Sequence, residues 1–296
     1  MEKYNLLYRI KGRVIRELYP FMSDSEYLKI LFRHKMGYNL DLDNPQTFNE
    51  KLQWLKLNDI HPEYTLMVDK YEAKKYVASI IGDSFIIPTY GVYEEFEQID
   101  FKKLPDKFVL KCTHDSGGVV ICKDRSSFNI NGAKRILKKC LSVNYSDYKK
   151  EYPYKAIKPR IIAEQYLVDE SGYELKDYKF FCFNGDVKFF KVDFDRYSTH
   201  RANYYDNKLT LLPFGEEVCP PDFSRKLSIP DNIEQMFDIA RKLSMNIPFL
   251  RVDLYNTQGQ IFFGELTFFP NSGLGTFIPN EWDCILGNWL QLPSCN

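Results

Sequence analysis

The sequence has no excess of charge of either sign. Lysine plus arginine and aspartate plus glutamate number 40 each among 296 residues, so the formal net charge is zero. Without a basic excess there is no overall electrostatic field to hold nucleic acid, and we expect no nucleic-acid partner. The sequence also lacks an apolar run of about 18 residues, the length needed to cross a bilayer as a helix.

Cysteines are few and scattered. The seven cysteines form no Cys-x-x-Cys pair and therefore give no framework for a zinc site. An odd number of dispersed cysteines is typical of a reducing compartment. The first twenty residues carry charges throughout and contain no apolar signal-peptide core. Together these absences predict a cytoplasmic protein, one that could also work at the inner face of the membrane.

The sequence is rich in aromatic residues, at 16%, which argues against disorder. Its length is sufficient for one large domain or two modest ones. Helices are predicted at residues 4–18, 24–35, 47–59, 69–81, 132–141 and 231–245. Strands are predicted at residues 85–88, 108–112, 119–122, 160–167, 177–183 and 187–193, and a hairpin follows the last helix. This order predicts an α+β fold with largely antiparallel strands.

The segment 4–18 predicts an amphipathic helix with interleaved basic residues. Its apolar positions are Leu6, Leu7, Ile10, Val14 and Leu18, and its basic ones are Arg9, Lys11, Arg13 and Arg16. Such a helix could lie on an anionic membrane surface as a peripheral contact. The simpler interpretation, which we favour, is a helix docked on the body of the protein.

Two short apolar strands near the C-terminus each carry one carboxylate. Residues 251–255 and 261–269 are joined by a Thr-Gln-Gly turn, and they contain Asp253 and Glu265 respectively. Apolar neighbours flank both acids, so an isolated carboxylate is costly at either position. Facing carboxylates repel unless a cation lies between them, and Mg²⁺ held by carboxylates usually arrives with nucleotide phosphates. The alternative is a hairpin whose two acids point to solvent.

A lysine at the end of a predicted strand precedes a glycine-containing turn. Lys111 is followed by Cys-Thr-His-Asp-Ser-Gly-Gly, which ends at Gly118. Such a turn can surround a polyphosphate with backbone N–H groups, beside the point charge of the lysine. An ordinary hairpin loop with an exposed lysine would show the same pattern. We interpret His114 as a polar loop residue.

Two further segments give weaker signals. Residues 163–167 end a strand at a candidate hinge, where a backbone edge with Glu164 and Leu167 would suit an adenine ring and its ribose. Lys70 is predicted at the start of a helix, where a solvated lysine is the simpler interpretation. Neither segment identifies a nucleotide site alone.

A basic run follows the strand predicted at 187–193. It comprises Lys188, Lys191, Arg196, His200 and Arg201. The run could bind an anionic acceptor or a developing negative charge, or it could be a solvated strand edge. In the same stretch, Asp193-Phe-Asp195 matches the acid-x-acid pattern of many sugar-nucleotide transferases, a pattern that is common by chance.

In their order along the chain, these pieces resemble an ATP-grasp enzyme. That order is helix lysine, strand lysine with a glycine loop, Glu-x-x-Leu hinge, Arg-x-Asp and a final glutamate. The more specific resemblance is to the TupA-like ATP-grasp family, which is linked to teichuronopeptide and other surface-polysaccharide synthesis. It covers roughly residues 30–290, and its segments are NPQTFNEKLQWLKL, VDKYEAKKYV, LPDKFVLKCTHDSGG, RIIAEQYL, DYKFFCFNG and FGELTFFPNSGLGTFIP.

The resemblance implies an ATP-grasp fold of the α+β class, in which two α+β subdomains grip ATP and an N-terminal helical extension precedes them. We expect the helical region at residues 1–66, the lid and phosphate-loop subdomain at 67–160, and the core subdomain with the metal site at 161–296. The implied cofactors are ATP and Mg²⁺.

The resemblance also implies roles for individual residues. The nucleotide ligands would be Lys70 and Lys111 at the phosphates, Ser116, Gly117 and Gly118 as a mobile lid, Glu164 and Leu167 around the adenine, and Lys179 in the segment DYKFFCFNG. The Mg²⁺ ligands would come from Asp253, Glu265, Thr267 and Asn271. Arg251 would stabilise the transferring phosphate or the tetrahedral intermediate, and Arg196 and Arg201 would face the acceptor or acyl group.

The sequence departs from the family pattern at two places. Many ATP-grasp ligases have Glu-x-Asn for the second metal ion, whereas here the third position is Thr267 and the nearest asparagine is Asn271. Either Asn271 reaches the metal or one metal site is weaker, because a hydroxyl is a poorer neutral ligand than an amide oxygen. Lys74 stands where the family has arginine, which removes a bidentate fork.

The implied activity is the ligation of a carboxylate to an amine through an acylphosphate. The expected partners are a small molecule or polysaccharide precursor with a carboxylate, and an amine or amino acid. Two other activities stay open: a sugar-nucleotide glycosyltransferase that holds its metal on Asp193 and Asp195, and an ATP-grasp kinase that stops at phosphoryl transfer. A non-catalytic scaffold is disfavoured because both lysines and both carboxylates are present.

Overall fold

The protein combines helices with antiparallel strands. The structure, a computed structural model, describes residues 6–115, 117–143, 145–172, 174–195, 199–226 and 228–294, and for Tyr145 the backbone alone. The helices are α1 Leu6–Glu17, α2 Asp24–Met36, α3 Phe48–Asn58, α4 Tyr64–Val68, α5 Glu72–Ile81, α6 Ile130–Leu141, α7 Tyr145–Lys149, α8 Ile233–Ser244 and α9 Glu281–Trp289. The strands are β1 Thr89–Tyr93, β2 Phe108–Cys112, β3 Val119–Cys122, β4 Ile161–Gln165, β5 Asp177–Phe183, β6 Asp186–Phe194, β7 Arg201–Asp206, β8 Gly215–Glu216, β9 Phe249–Thr257, β10 Gln260–Thr267 and β11 Phe277–Ile278.

The larger sheet has five antiparallel strands in the order β10-β9-β5-β6-β7. On one face, Phe237 of α8 packs edge-on against Phe180 and Phe190. On the other face, Trp289 of α9 packs against Phe183 and Phe189. Because both faces are covered, apolar residues of the central strands occur in consecutive runs, such as residues 180–183 of β5, and not only at alternate positions. This explains the concentration of aromatic residues between 178 and 194.

The smaller sheet has four antiparallel strands in the order β1-β4-β2-β3. It has a separate apolar core, in which Phe108 and Leu110 of β2 lie against Leu137 of α6. The sheet therefore forms a second packed layer with its own interior. The strand β4 is a central member of this sheet, so the sheet extends past the expected subdomain boundary at residue 160; the division itself stays a prediction.

The helix α3, predicted at residues 47–59, begins with a capping box. The Thr47 side chain accepts a hydrogen bond from the backbone N–H of Glu50, and the Glu50 carboxylate accepts one from the backbone N–H of Thr47.

Two local predictions of secondary structure are wrong. The residues 85–88 do not form a strand: β1 begins at Thr89, since Pro88 has no N–H to give to a sheet ladder. Lys70 does not start a helix.

Lys70 lies in the turn between α4 and α5. The Asp69 carboxylate accepts hydrogen bonds from the backbone N–H groups of Tyr71 and Glu72 at 2.8 and 3.1 Å, and these bonds fix the start of α5 beyond Lys70. The backbone N–H of Lys70 donates to the Thr113 carbonyl at 3.0 Å. The turn therefore places Lys70 beside the loop that follows β2.

The helix α1 docks on α2 through one side only. Tyr8 stacks on His34 with ring centroids 4.1 Å apart, and Ile15 is buried. The predicted apolar positions are largely outside this contact, since Leu7 is 72% exposed and Val14 is 56% exposed. Among the described helices, none is long and apolar enough to cross a membrane.

Candidate functional site

The closing hairpin places two carboxylates side by side. A β-bulge at Gly264 shifts the register of β10, so that Glu265 lies opposite Asp253 of β9. Without the bulge, Gly264 would face Asp253 and the glutamate would point to the other side of the sheet. A Cβ atom on residue 264 would lie 2.9 Å from the Asp253 carbonyl, so glycine permits the bulge.

Arg251 bridges the two carboxylates. Its Nε and one terminal nitrogen donate to the two oxygens of Asp253 at 2.6 and 2.7 Å, and the terminal nitrogen also donates to Glu265 at 2.8 Å. Burial disfavours the charged guanidinium, but Asp253 and Glu265 together raise the pKa of Arg251 above its ordinary value. The arginine is therefore a fixed cation held between two acids.

The neighbouring strand β5 extends this ionic group. Lys179 lies opposite Asp253 in the sheet register and donates to it at 2.6 Å, and it also contacts Asp177. We call Asp177, Lys179, Arg251, Asp253 and Glu265 the acidic cluster, since it contains three carboxylates and two cations. Burial raises the pKa of Asp253, because the two cations only partly offset desolvation and the nearby acids. Burial also favours neutral Glu265, but Arg251 and Lys70 outweigh it and lower its pKa to about 2.

The acidic cluster opens into a cavity of about 280 Å³, here called the phosphate cavity. Its wall includes Lys70, Arg251, Glu265, Thr267 and Asn271. The Glu265 side chain is 36% exposed, whereas Asp253 is 1% exposed with both oxygens held by cations.

This donor set fits Mg²⁺. It offers hard oxygen ligands, including the carboxylate that Mg²⁺ takes beside waters and phosphates. Glu265 is the carboxylate open to the metal, and Asp253 would reach it only if Arg251 or Lys179 released an oxygen. Thr267 lies in register with Arg251, and its hydroxyl is 3.5 Å from Glu265.

A second ionic group lies on the four-stranded sheet. Glu164 of β4 accepts from Lys74 at 2.8 Å and contacts Lys111 of β2. Burial alone would raise the pKa of Glu164, but Lys111 and Lys74 outweigh it and lower the pKa to about 2. We call these three residues the basic cluster, since two ammonium groups share one carboxylate.

Lys74, at the position where the resemblance leads us to expect arginine, has an acceptor for each of its donors. The Lys74 ammonium also donates to the Ile87 carbonyl at 2.8 Å and to the Thr89 hydroxyl at 3.0 Å. Three acceptors around one ammonium satisfy its three donors. Lys74 is thus a structural partner of Glu164, whereas Lys111 keeps 18% of its side chain exposed and faces a cavity.

That cavity, here called the apolar cavity, has a volume of about 490 Å³. Lys111 and Glu164 lie at its polar edge, and Ile87, Leu167 and Tyr255 form apolar walls. Its size and its combination of apolar walls with few polar groups are typical of a small-ligand site. The hinge segment that the sequence singles out therefore borders a cavity that could hold an aromatic base.

The loop after β2 is anchored at both ends. Gly118 donates to the Asp115 carboxylate at 3.0 Å, and a Cβ there would lie 2.9 Å from Cys112, so this glycine is required for close packing. Gly117 is exposed with open space around it. Lys70 donates to the Asp115 carbonyl. Ser116 lies outside the described residues.

His114 is buried in the wall of the phosphate cavity, not exposed on the loop. Its Nε2 lies 3.2 Å from the carbonyls of both Cys140 and Val143. Carbonyls only accept, so Nε2 carries a proton and donates it to them. The predicted polar role is consistent with this fixed orientation.

Arg201, one of the predicted basic residues, lies apart from these cavities. Arg201 begins β7 opposite Phe194, and its charge helps to lower the pKa of Asp222 after the larger effect of the Ser224 hydrogen bonds. Among the described residues that line the phosphate and apolar cavities, Arg201 is absent. Arg196 lies outside the described residues.

The acid-x-acid pattern is not built as a paired site. Asp193 is buried, 3.5 Å from both Lys191 and His200, whereas Asp195 contacts Arg225 on another segment. Residues two apart on a strand point to the same face, but Asp195 lies past the end of β6 and has a positive φ of 53°, which turns its carboxylate away from Asp193. His200 also lines the apolar cavity, so the row Arg251, Asp253, Lys179, Asp193 and His200 connects the phosphate cavity to the apolar one.

One feature was not identified from the sequence: a polar stripe on α3 holds the loop that carries Asn271. Gln53 donates to the carbonyls of Ser272 and Gly273 at 3.1 and 2.7 Å, and Lys56 donates to the Ser272 carbonyl at 2.9 Å. Asn49 exchanges hydrogen bonds with Gly275. Asn49, Gln53 and Lys56 recur at i, i+4 and i+7, a spacing that places them on one helix face and that could have revealed them.

These contacts hold a strained backbone. Asn271 and Ser272 both have positive φ, at 50° and 59°, which costs about 1 to 3 kcal/mol for each residue. Ser272 Oγ donates to Glu151 at 2.5 Å and accepts from Lys56 at 3.0 Å. The loop is therefore fixed from two sides, and it presents Asn271 to the phosphate cavity.

Comparison with known proteins gives one family and several structural neighbours. The family model described as TupA-like ATPgrasp matches residues 50–291. No curated protein matches the chain. A D-alanine–D-alanine ligase from Bacillus anthracis complexed with ATP is similar at 13% identity and a TM-score of 0.41, over 69% of this chain and 54% of that one.

Two further solved structures are similar at comparable levels. The D-alanine–D-alanine ligase from Helicobacter pylori has 15% identity and a TM-score of 0.41 over 76% of this chain and 62% of its own. A RimK domain ATP-grasp protein from Sphaerobacter thermophilus has 10% identity and the same TM-score, over 76% and 66%. The chain thus spans between about half and two thirds of the length of these neighbours.

Proposed function

Because the chain belongs to the TupA-like ATP-grasp family, we propose that it is an ATP-dependent ligase that joins a carboxylate to an amine through an acylphosphate. The family has the ATP-grasp fold, and its cofactors are ATP and Mg²⁺. The observation that carries the proposal is the pair of oppositely unbalanced ionic clusters, each of which borders a cavity. A divalent cation would offset the excess negative charge of the acidic cluster, and a polyphosphate would offset the excess positive charge of the basic cluster.

The arrangement of cavities supports one orientation for ATP. The adenine would occupy the apolar cavity beside Leu167, with Glu164 and Lys111 at its polar edge. The phosphates would extend past Lys179 towards Lys70 and Arg251. Gly117, with open space around it, would cover the phosphates from the loop after β2, and Ser116 is proposed to take part.

Glu265 and Asn271 would hold Mg²⁺ at the phosphate cavity. Asp253 and Thr267 lie next to Glu265 and would serve as further ligands. When bound, the ion would neutralise charge on the phosphate oxygens. Lys70 and Arg251 would bind the γ-phosphoryl oxygens, and because both are held by other residues they need little reorganisation. The rigid loop at 271–275 would keep Asn271 in place.

In the first step, a substrate carboxylate oxygen would form a bond to the γ-phosphorus while the bond from phosphorus to the ADP oxygen breaks. In the second step, an amine would attack the carbonyl carbon of the acylphosphate and phosphate would leave. The amine proton would pass to solvent or to phosphate. Arg251 would stabilise the negative charge that develops in both steps.

The pathway assignment is part of the same proposal. The family link to surface polysaccharides suggests that the carboxylate belongs to a sugar acid or peptide of such a polymer, and that the amine belongs to an amino acid. The glycosyltransferase alternative is less well supported, because Asp195 contacts Arg225 and does not converge with Asp193. A kinase would use the same nucleotide site with a hydroxyl acceptor and no amine.

Calorimetric titration tests the nucleotide site. We expect wild-type protein to bind ATP only with Mg²⁺, and we expect Glu265→Gln to weaken that binding while UDP-sugars bind neither form. Tight UDP-sugar binding without any response to ATP would refute the ligase and move the metal to Asp193.

An assay of ADP release with candidate acids then separates ligase from kinase. Ligation requires both a carboxylate acceptor and an amine for full turnover, and its product contains an amide bond detectable by mass spectrometry. ADP release that depends on a hydroxyl acceptor alone would identify a kinase.

A further inference from the structure

A histidine, a cysteine and an aspartate converge at the β6–β7 side of the five-stranded sheet. The ligand atoms of Asp193, His200 and Cys219 all lie within 4.8 Å of one another. Asp193 and Cys219 are each 2% exposed, whereas the His200 side chain is 39% exposed. We call these three residues the Cys-His-Asp cluster. Their side chains belong to three residue types that bind transition metals.

Three separate segments bring the cluster together. Asp193 is on β6, where it lies opposite Ala202 of β7, and His200 comes just before β7. The strand β7 is the last strand of its sheet, and its free edge is occupied by the segment that contains Cys219. The N–H of Ala202 donates to the Pro220 carbonyl at 3.4 Å across that edge. Tertiary pairing therefore places the thiol beside a strand that precedes it by about two dozen residues.

Further hydrogen bonds hold the segment that contains Cys219. The N–H of Cys219 donates to the Glu216 carbonyl at 3.1 Å, which closes a tight turn after β8. The buried Asn203 side chain donates to the Asp222 carbonyl at 2.8 Å and accepts from the Asp222 N–H at 2.9 Å. These bonds fix the backbone on both sides of the thiol. A ligand group on a fixed backbone loses little conformational freedom when it binds a metal ion.

The spacing of the ligand atoms is close to that of a tetrahedral zinc site. Zn²⁺ binds imidazole nitrogen and carboxylate oxygen at about 2.0 to 2.1 Å and thiolate sulfur at about 2.3 Å. A tetrahedron with these bond lengths has neighbouring ligand atoms about 3.3 to 3.6 Å apart. His200 Nε2 lies 3.5 Å from Asp193 Oδ1, which matches this interval. A movement of roughly 1 Å by the Cys219 side chain brings the sulfur to the same spacing.

The surrounding charges are compatible with a divalent cation. Lys191 lies 3.5 Å from Asp193 Oδ1, but it donates to Glu216 at 3.0 Å and keeps that partner when Asp193 binds a metal. Lys179 approaches the other Asp193 oxygen at only 3.8 Å, and two carboxylates of the acidic cluster hold it. A metal-bound thiol loses its proton, so Cys219 and Asp193 together supply two negative charges. Two anionic ligands neutralise one Zn²⁺.

The residue types distinguish this cluster from the site proposed for Mg²⁺. Thiolate and imidazole prefer zinc, whereas Mg²⁺ prefers the oxygen ligands that the phosphate cavity offers. Three protein ligands leave a fourth position of the tetrahedron for water. His200 also lines the apolar cavity, so water reaches the ion from that side.

We propose that Asp193, His200 and Cys219 bind one zinc ion, with water as the fourth ligand. The ion joins β6 to the start of β7 and to the segment after β8, and it stabilises the folded protein because the unfolded chain does not hold the three ligands together. This inference goes beyond the proposed function, since its ligands and its test involve neither ATP nor an acceptor.

Titration of the metal-free protein with Co²⁺, a spectroscopic substitute for Zn²⁺, tests the geometry. We expect one Co²⁺ per protein, with the strong visible absorption of a tetrahedral site and a thiolate-to-cobalt band in the near ultraviolet. One equivalent of Zn²⁺ should remove both signals, and an excess of Mg²⁺ should not. Cys219→Ser should abolish the thiolate band, whereas Cys284→Ser, which changes an exposed cysteine of α9, should retain it.

Competition with a chromophoric chelator measures zinc affinity in the variants. We expect His200→Ala to lower that affinity at least about a hundredfold, since even the partners of metal ligands contribute about tenfold to a hundredfold. The matched control is His61→Ala, which removes another exposed histidine that contacts an aspartate. Zinc should raise the thermal unfolding midpoint of the wild type and of His61→Ala, but not that of His200→Ala.

Several results would overturn the proposal. They are a wild type without the thiolate band, wild-type zinc affinity in His200→Ala, and an equal loss in His61→Ala. If circular dichroism shows that Cys219→Ser does not fold, His200→Ala decides alone, because its side chain is partly exposed and its replacement leaves no buried gap. Zinc affinity that falls in Glu265→Gln would move the ion to the acidic cluster. A wild type that binds zinc but not Mg·ATP would refute the proposed function and leave this inference intact.

Discussion

The two buried ionic clusters have opposite imbalances. On the five-stranded sheet, three carboxylates surround two cations in the acidic cluster; on the four-stranded sheet, two ammonium groups share Glu164 in the basic cluster. A buried charge is costly unless it is paired, so a cluster built for stability alone would be balanced. The opposite residual charges, each at a cavity, point instead to a ligand that carries both signs. Each of the following variants changes the balance of one cluster.

The largest effect is expected for Glu265→Gln, which removes the cavity-facing carboxylate of the acidic cluster. Loss of a metal ligand at a reacting phosphate should lower the rate of ADP release by about a thousandfold. The control is Asp186→Asn, an exposed carboxylate of the same sheet that pairs with Lys188. Equal rates of ADP release in the two variants would show that the excess negative charge of the acidic cluster does not contribute to catalysis.

Glu164→Gln unbalances the basic cluster and should act on folding stability. The pKa of Glu164 is about 2 in the folded protein against an ordinary 4.5, so its charge contributes about 3 kcal/mol, fully present above pH 4.5 and lost as pH falls towards 2. Urea unfolding at several pH values should show a difference between wild type and variant that shrinks below pH 4.5. A difference that does not change with pH would contradict the assignment.

Lys111→Gln removes the surplus cation of the basic cluster and should weaken Mg·ATP binding about tenfold, the value of one charge-assisted contact. Lys107→Gln, an exposed lysine just before the same strand, is the matched control. Calorimetry of both variants measures the difference. If both lose affinity equally, the effect is a general charge effect and not a contact.

The smallest effect is expected for an ion pair outside both clusters. Glu97 contacts Lys138 and Lys134 at 2.6 and 3.0 Å, and these two hydrogen bonds lower its pKa to about 2, but about half of each side chain is exposed. Exposed pairs contribute little because water and salt screen them. Glu97→Gln should leave the thermal unfolding midpoint within experimental error. A clear decrease would show that burial is not what distinguishes the clusters.

The proximity of three members of the acidic cluster can be predicted from the sequence because these three are local. Arg251, Asp253 and Glu265 lie on one hairpin, where turn chemistry and strand alternation fix their relative positions. The family assignment and the α+β ATP-grasp fold were likewise predicted from ordered motifs and are confirmed by the family match.

Contacts between distant segments were not predictable in the same way. The hydrogen bonds from α3 to the loop 271–275 join residues more than 200 positions apart, and only tertiary packing brings them together. Lys149 lies in a segment without readable chemistry, yet it lines two cavities. The position of Lys70 depended on a side-chain cap at Asp69 that overrode the helical periodicity.

The apolar and phosphate cavities follow one another in space, since the ionic row that runs from Arg251 through Lys179 and Asp193 to His200 connects them. A larger cavity, lined by α1, shares Lys149, Asn271 and Ser272 with the phosphate cavity. A single inhibitor could therefore extend from the apolar cavity through the phosphate cavity, with ADP tethered through a phosphonate to a carboxylate acceptor. Binding of one end would raise the effective concentration of the other, so the tethered compound should exceed the affinity of either half. The optimal tether would be short, because Asn271 and Ser272 lie in the wall of both the phosphate cavity and the larger one.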